Sequence, residues 1–216
     1  MATGRFANRV DAGRRLARQL DAYAGRPDVI VFGLPRGGVP AAAEVARYLQ
    51  VPLDVFLVRK LGVPSHPELA MGAIAEGGVE VRDERLIDHL GIPRASVDEI
   101  AVRERRELDR RHSQYRGARG QPDIAGRTII VVDDGLATGA TMEAAVVALR
   151  QLGPAGVIVA APVGAPETCR RLRQHADRVV CVATPSDLGA VGQWYDDFTQ
   201  TTDEEVRQLM GGTAPP

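Results

Sequence analysis

The chain has 216 residues, 44% of them apolar and 25% charged, and its 27 basic and 28 acidic side chains leave a formal charge of -1. That length suits one α/β domain with an elaborated cap, large enough to bury a core without disulfide or metal. Balanced charge argues against a nucleic-acid arm or a polybasic membrane anchor, and no run of about 18 apolar residues is present to cross a bilayer.

The first 20 residues carry no apolar export segment, and the two cysteines, Cys169 and Cys181, read as ordinary core residues of a reduced chain. Both features lead to the expectation of a cytoplasmic protein. Phe6, Val10, Gly13, Ala17 and Leu20 are spaced as one helical stripe. Residues 28–33 (DVIVFG) form a β-branched run closed by Gly and Pro, the pattern of a buried strand. A helix is predicted over 39–50 and a second strand over 53–60, and the two prolines of 61–67 (LGVPSHP) predict a mobile loop. Two short strands are expected around Gly77 and Gly78. Ser96 and Glu99 make a capping box for a long charged helix to about Tyr115, with Ile100, Leu108 and Tyr115 as its apolar stripe. Its arginines alternate with acids, which predicts a solvated face laced with ion pairs.

The second half is regular. Strands are predicted over 127–134, 156–163 and 178–185, with helices over 141–152 and 166–175 between them. A loop then leads to a short helix capped by Thr202 and Glu205. Near-continuous apolar strands alternating with helices predict an α/β fold: a mostly parallel sheet with helices on both faces. The organisation expected is a single domain over 1–216. Its core covers about 28–184, its hood about 185–210 plus the N-terminal helix, and a helical insertion about 83–118.

The strongest chemical signal is 129–146, IIVVDDGLATGATMEAAV. An apolar strand runs into Asp133 and Asp134, then into the small loop Ala137, Thr138, Gly139, Ala140 and Thr141, which enters a helix. Parallel sheets place ligands at the carboxyl ends of their strands. A small-residue loop there lets consecutive N–H groups wrap an anion, helped by the helix N-terminus and two hydroxyls. Phosphate on the loop and sugar hydroxyls on the acids would suit a phosphosugar. The Gly-Lys-Ser/Thr ending of a Walker loop is absent.

This stretch resembles the 5-phosphoribosyl-1-pyrophosphate (PRPP) signature of the type I phosphoribosyltransferases, and about 28–198 of the chain supports the likeness. The resemblance implies a type I phosphoribosyltransferase-like fold, with Asp133 and Asp134 on the ribose hydroxyls and 137–141 on the 5-phosphate. Arg36, Gly37 and Gly38 in GLPRGGVP resemble the pyrophosphate loop, where a close-approach backbone favours glycine. Arg59 and Lys60 match the Arg-Lys pair with which orotate- and adenine-type members head a flexible catalytic loop. Lys60 is the sole lysine among the 27 basic residues, which suits a place wanting a compact ammonium.

The implied reaction is attack by a nitrogen nucleophile on PRPP with loss of pyrophosphate, as in nucleotide salvage. Mg²⁺ is the implied cofactor, carried by PRPP with no direct protein ligand and at most a water-mediated contact to Asp133 or Asp134. The implied partners are PRPP and a base, without nucleic acid or membrane, and helix 96–115 is left a covering or homodimer-forming role. Hypoxanthine/guanine-type members place an aspartate where this chain has Ala137, which argues against a 6-oxopurine acceptor by that mechanism. Trp194 and Tyr195 of the hood are the acceptor-stacking candidates, with a hood-core anchor as the alternative for Trp194. A catalytically silent PRPP sensor is the competing function; the Arg59-Lys60 and Arg36-Gly37-Gly38 pieces weigh against it.

Overall fold

The computed structural model describes residues 4–116, 120 and 122–211. Residues 117 and 118, at the end of the expected insertion, lie outside them. Five strands form a wholly parallel sheet: β1 (Val29–Gly33), β2 (Leu53–Val55), β6 (Thr128–Val132), β7 (Gly156–Val163) and β8 (Arg178–Ala183), in the order β2-β1-β6-β7-β8. The register pairs Ile30 with Ile129, Ile129 with Val157 and Ala160 with Val180.

Both faces are covered, as the apolar runs predicted. Val29, Val31, Ile130, Val132 and Ile158 point into a core shared with α1 (Arg9–Ala17) and α2 (Gly38–Leu49). Ile30, Phe32, Ile129, Val131 and Val159 point into a second core with α5 (Ala140–Gln151) and α6 (Pro166–Leu172). Alternate residues of one strand thus serve opposite layers, and each fully buried Val or Ile contributes about 1.5–3 kcal/mol.

A second sheet, antiparallel, is built from β3 (Val58–Val63), β4 (His66–Ala75) and β5 (Glu80–Arg82), pairing Lys60 with Ala73 and Ile74 with Glu80. It packs between α5 and the long α4 (Arg94–Arg116), with α3 (Glu84–His89) leading into α4. Two expectations are corrected here. The strand predicted over 53–60 is two strands in different sheets, parted at Phe56 and Leu57. Phe56 donates to the Gly33 carbonyl (3.2 Å) and its ring meets Phe32 edge-on, so the chain turns out of the parallel sheet there. The loop predicted at 61–67 is the tip of the β3–β4 hairpin, because the prolines sit at or beside the turn, where the ladder needs no donor from them.

Two helix readings also shift. Helix α4 starts at Arg94, since Ser96 and Val97 both donate to the Pro93 carbonyl, so Ser96 lies in the first turn instead of capping it. Asn8 caps α1 through bonds to the Val10 and Asp11 amides, and the buried stripe is Arg9, Ala12, Gly13, Leu16 and Ala17. Phe6 precedes that helix. It bridges to Tyr195, and with Val163, Ala183 and Leu188 it forms a small core tying the N-terminal segment to the chain after β8. Gly13 allows close crossing of α1 on α2: a Cβ there would lie 2.7 Å from the Ala41 carbonyl oxygen. The last helix, α7 (Asp203–Gly211), carries the predicted capping box, with Glu205 N–H on Thr202 Oγ1 (3.1 Å) and Thr202 N–H on Glu205 Oε2 (2.6 Å).

Candidate active site

Strand β6 ends at Val132 and delivers Asp133 and Asp134 to the carboxyl edge of the sheet, between the ends of β1 and β7. The Asp134 N–H donates to Asp133 Oδ1 (2.9 Å), which fixes the first carboxylate against the backbone of the second. The β1–α2 turn lies directly on this pair. A Cβ at Gly38 would sit 2.5 Å from the Val132 carbonyl oxygen and 2.8 Å from Asp133 Cα, and one at Gly37 would overlap the Asp134 carboxylate. Glycine is required here by close approach. The Pro35–Arg36 peptide that opens the turn is cis.

The acid pair is electrostatically tense. Burial, then the neighbouring Asp134 charge, pushes Asp133 well above the usual carboxylate range. Burial also raises Asp134, but Arg9 opposes it. Arg9 comes from the first turn of α1. Its Nε lies 2.9 Å from Asp134 Oδ2, with the two side chains 10% and 16% exposed. Tyr195 adds a bond from its hydroxyl to the Asp134 carbonyl (2.5 Å).

The loop 137–141 follows and enters α5 through Gly139, which caps the helix at φ 69°. Thr168 of α6 donates to the Ala137 carbonyl (2.6 Å), and Arg171 donates to the Thr138 carbonyl. Those two carbonyls are therefore engaged from the α6 side, while the helix N-terminus contributes its partial positive charge to the loop. Thr138 and Thr141 are exposed and Ala137, Gly139 and Ala140 half-buried, so the loop borders solvent.

A family model for the phosphoribosyl transferase domain matches residues 5–197. The chain belongs to that family. Two Mycobacterium tuberculosis proteins, whose names describe them provisionally as phosphoribosyl transferases, are 48% identical over 201 residues, covering 93% of this chain and 45% of each of them. The chain thus spans under half the length of those relatives. The crystal structure of TT1426 from Thermus thermophilus superposes with a TM-score of 0.89 at 43% identity, covering 98% of this chain and 100% of that one. A shorter similarity, 33% over 93 residues, links 42% of this chain to 27% of a ribose-phosphate pyrophosphokinase of Mycobacterium leprae.

Against the phosphoribosyl transferase signature, the structure brings together Asp133, Asp134, Gly37, Gly38 and the loop 137–141. Arg59 joins them at one remove, since a narrow crevice is lined by Leu34 and Pro35 of the β1–α2 turn, Arg59, Arg111 and Thr141. Arg36 approaches Asp203 of α7 at 3.9 Å. Lys60 lines a different groove, of about 510 Å³, between the β3–β4 hairpin and α4. Arg59 and Lys60 therefore stand on a paired strand, where the resemblance implied the head of a flexible loop.

Tyr195 is 1% exposed, and its ring packs on Phe6 and Phe198. Burial corrects its expected role: no face of it is open to an acceptor. Trp194 is half-buried, and its indole N–H donates to the Leu188 carbonyl (3.1 Å). Leu188 in turn lines a cavity of about 520 Å³ with Ala137, Thr138, Thr168, Arg171 and Asp187. Trp194 is not among the residues that line it. Arg9, Arg111, Thr168 and Arg171 escaped the sequence reading because each reaches the site from another helix; the spacing of none distinguishes it from a surface arginine or a core threonine.

Among the described residues, no group of three or more His, Cys, Asp or Glu side chains is placed to hold a metal ion. The adjacent carboxylates Asp133 and Asp134 are a hard-oxygen pair of the kind that fits Mg²⁺ arriving with substrate oxygens and water. Among the described residues, no helix is long and apolar enough to cross a membrane.

Proposed function

We propose that this chain transfers the 5-phosphoribosyl group of PRPP to a nitrogen acceptor with release of pyrophosphate. The observation that carries this reading is the acid pair and small-residue loop in unbroken sequence at the end of the central strand, with the glycine turn of β1 laid across the acids. In this reading the amides of 137–141 and the hydroxyls of Thr138 and Thr141 hold the 5-phosphate, and Asp133 and Asp134 accept from the ribose hydroxyls. The Arg36-Gly37-Gly38 turn faces the diphosphate. Mg²⁺, when bound with PRPP, supplies charge neutralisation on the leaving group.

The bond from the anomeric carbon to the diphosphate oxygen breaks as the bond to nitrogen forms, and the acceptor loses a proton. Positive charge develops on the sugar and negative charge on the departing group. Arg36, Arg59 and Lys60 are the cations of this chain suited to the latter. The cavity beside the phosphate loop, of about 520 Å³, is the acceptor's place and has room for a base-like molecule. Its polar lining, with Arg171 and Asp187, would recognise the acceptor by hydrogen bonds.

The test is Mg²⁺-dependent pyrophosphate release from PRPP across a panel of purine and pyrimidine bases and simple amines. Turnover on one class supports the transferase. A second reading, a PRPP-binding regulator, is favoured by the engagement of Arg59 with Glu104 at 2.7 Å. PRPP binding without release on any acceptor would select it.

A further inference from the structure

We infer that Arg9 is a positioning residue for the ribose-binding acid, holding the Asp134 carboxylate in place and joining it to the segment 194–199. The inference rests on the phosphoribosyl reading of Asp134 and deepens it. Arg9 is 9% exposed and its guanidinium is fixed on three sides. Nε donates to Asp134 Oδ2 (2.9 Å), Nη1 donates to the Thr199 carbonyl (2.7 Å), and the plane stands 3.9 Å over the Phe198 ring.

The same segment reaches the other end of the acid through the Tyr195 hydroxyl on the Asp134 carbonyl. Asp134 is thus held at side chain and main chain by one cap, which itself closes on the N-terminal segment through Phe6 N–H on the Trp194 carbonyl and Asp196 N–H on the Phe6 carbonyl, both 2.8 Å. A fork-shaped cation on one carboxylate oxygen fixes the direction of the other. It also offsets the repulsion between adjacent acids that would otherwise swing Asp134 away from Asp133. Arg9 touches no reacting atom in this arrangement and acts through Asp134 alone.

The experiment is calorimetric titration of wild type, Arg9→Gln and Arg9→Lys with inorganic phosphate and with ribose 5-phosphate. Phosphate alone reads the loop 137–141, and the sugar adds the acids. Arg9→Gln should leave the phosphate Kd within about twofold while weakening ribose 5-phosphate by about tenfold or more, as expected when a charge-assisted hydrogen bond is lost. Arg9→Lys should recover part of the difference, since an ammonium can still reach Asp134. Equal weakening of both ligands, or unchanged ribose 5-phosphate binding, overturns the inference while leaving the phosphoribosyl reading intact. A wild-type chain that binds neither ligand overturns both. Should Arg9→Gln fail to fold, Phe198→Leu removes the ring under the guanidinium and keeps the charge. It should shift the ratio of the two constants in the same direction, by about threefold, and an unshifted ratio overturns the inference.

Discussion

Arg59 of β3 reaches Glu104 of α4 with Nη2 2.7 Å and Nε 2.8 Å from the same carboxylate oxygen, across the seam between the antiparallel sheet and the helix. In the proposed reaction Arg59 would serve the diphosphate, and there Glu104 and the diphosphate would compete for it. Glu104→Gln removes the competitor and should lower the KM for PRPP by about threefold, a change on the scale of a partly exposed ion pair. Arg59→Ala should raise it. Initial-rate kinetics of the two variants check this; KM unchanged in both would separate Arg59 from the diphosphate.

Lys60 stands next on the strand, facing the hairpin–α4 groove. A role in the transition state requires a contact stronger there than in the bound substrate. Lys60→Ala should then lower kcat by about 100-fold and leave the KM for PRPP within about twofold. Proportionate loss of PRPP affinity would make it a ground-state binder.

Asp133 has its carboxyl raised well above the ordinary value by burial and by Asp134. The folded form therefore holds its proton to higher pH than the unfolded chain. Stability from this group is greatest below the unfolded value and falls as pH rises through the folded one. Asp133→Asn should raise Tm at neutral pH, by about 2–4 °C for each kcal/mol relieved, while weakening ribose 5-phosphate binding towards that of phosphate alone. Thermal melts at pH 5 and pH 8 check the sign: the gain should be larger at pH 8.

The Arg116 guanidinium is buried at the end of α4, 2.6 Å from Glu76 and 3.1 Å from Asp54, and also donates to the Val55 carbonyl. The Glu76 approach is off the hydrogen-bonding axis, and neither of its carboxylate oxygens has a hydrogen-bond partner among the described residues. Arg116→Met leaves the buried Glu76 without its cation and should cost about 3–5 kcal/mol in denaturant unfolding. Burial pushes Glu76 from 4.5 up to about 7, against the pull of Arg116. Its contribution to stability should therefore fall between pH 4.5 and 7, and Glu76→Gln should flatten that part of the stability curve.

The parallel sheet, its two covered faces and the order of acids, loop and helix were legible in the sequence. All of them rest on local patterns: β-branched runs bury strands, and small residues before a helix leave amides open. Residues 53–60 read as one strand because alternation records only which side chains are buried, and Phe56 is buried on leaving one sheet as fully as Val55 is within it. The hairpin tip read as a loop because prolines mark turns without saying whether the flanking segments pair.

What the tertiary structure alone decided is which distant groups meet at the site and beside it. Arg9 lies 125 residues from Asp134 in sequence, Glu104 lies 45 from Arg59, and Thr168 lies 31 from Ala137. No periodicity encodes such pairings, because a charged side chain at one helix position looks the same in sequence whether its partner is solvent or a carboxylate brought there by packing. Burial of Tyr195 was decided the same way, by Phe6 and Phe198 closing on it from two ends of the chain. The sequence determined the order of acids, loop and helix at the strand end of β6; the packing of α1, α4 and α6 around it determined which charged and polar side chains lie beside them.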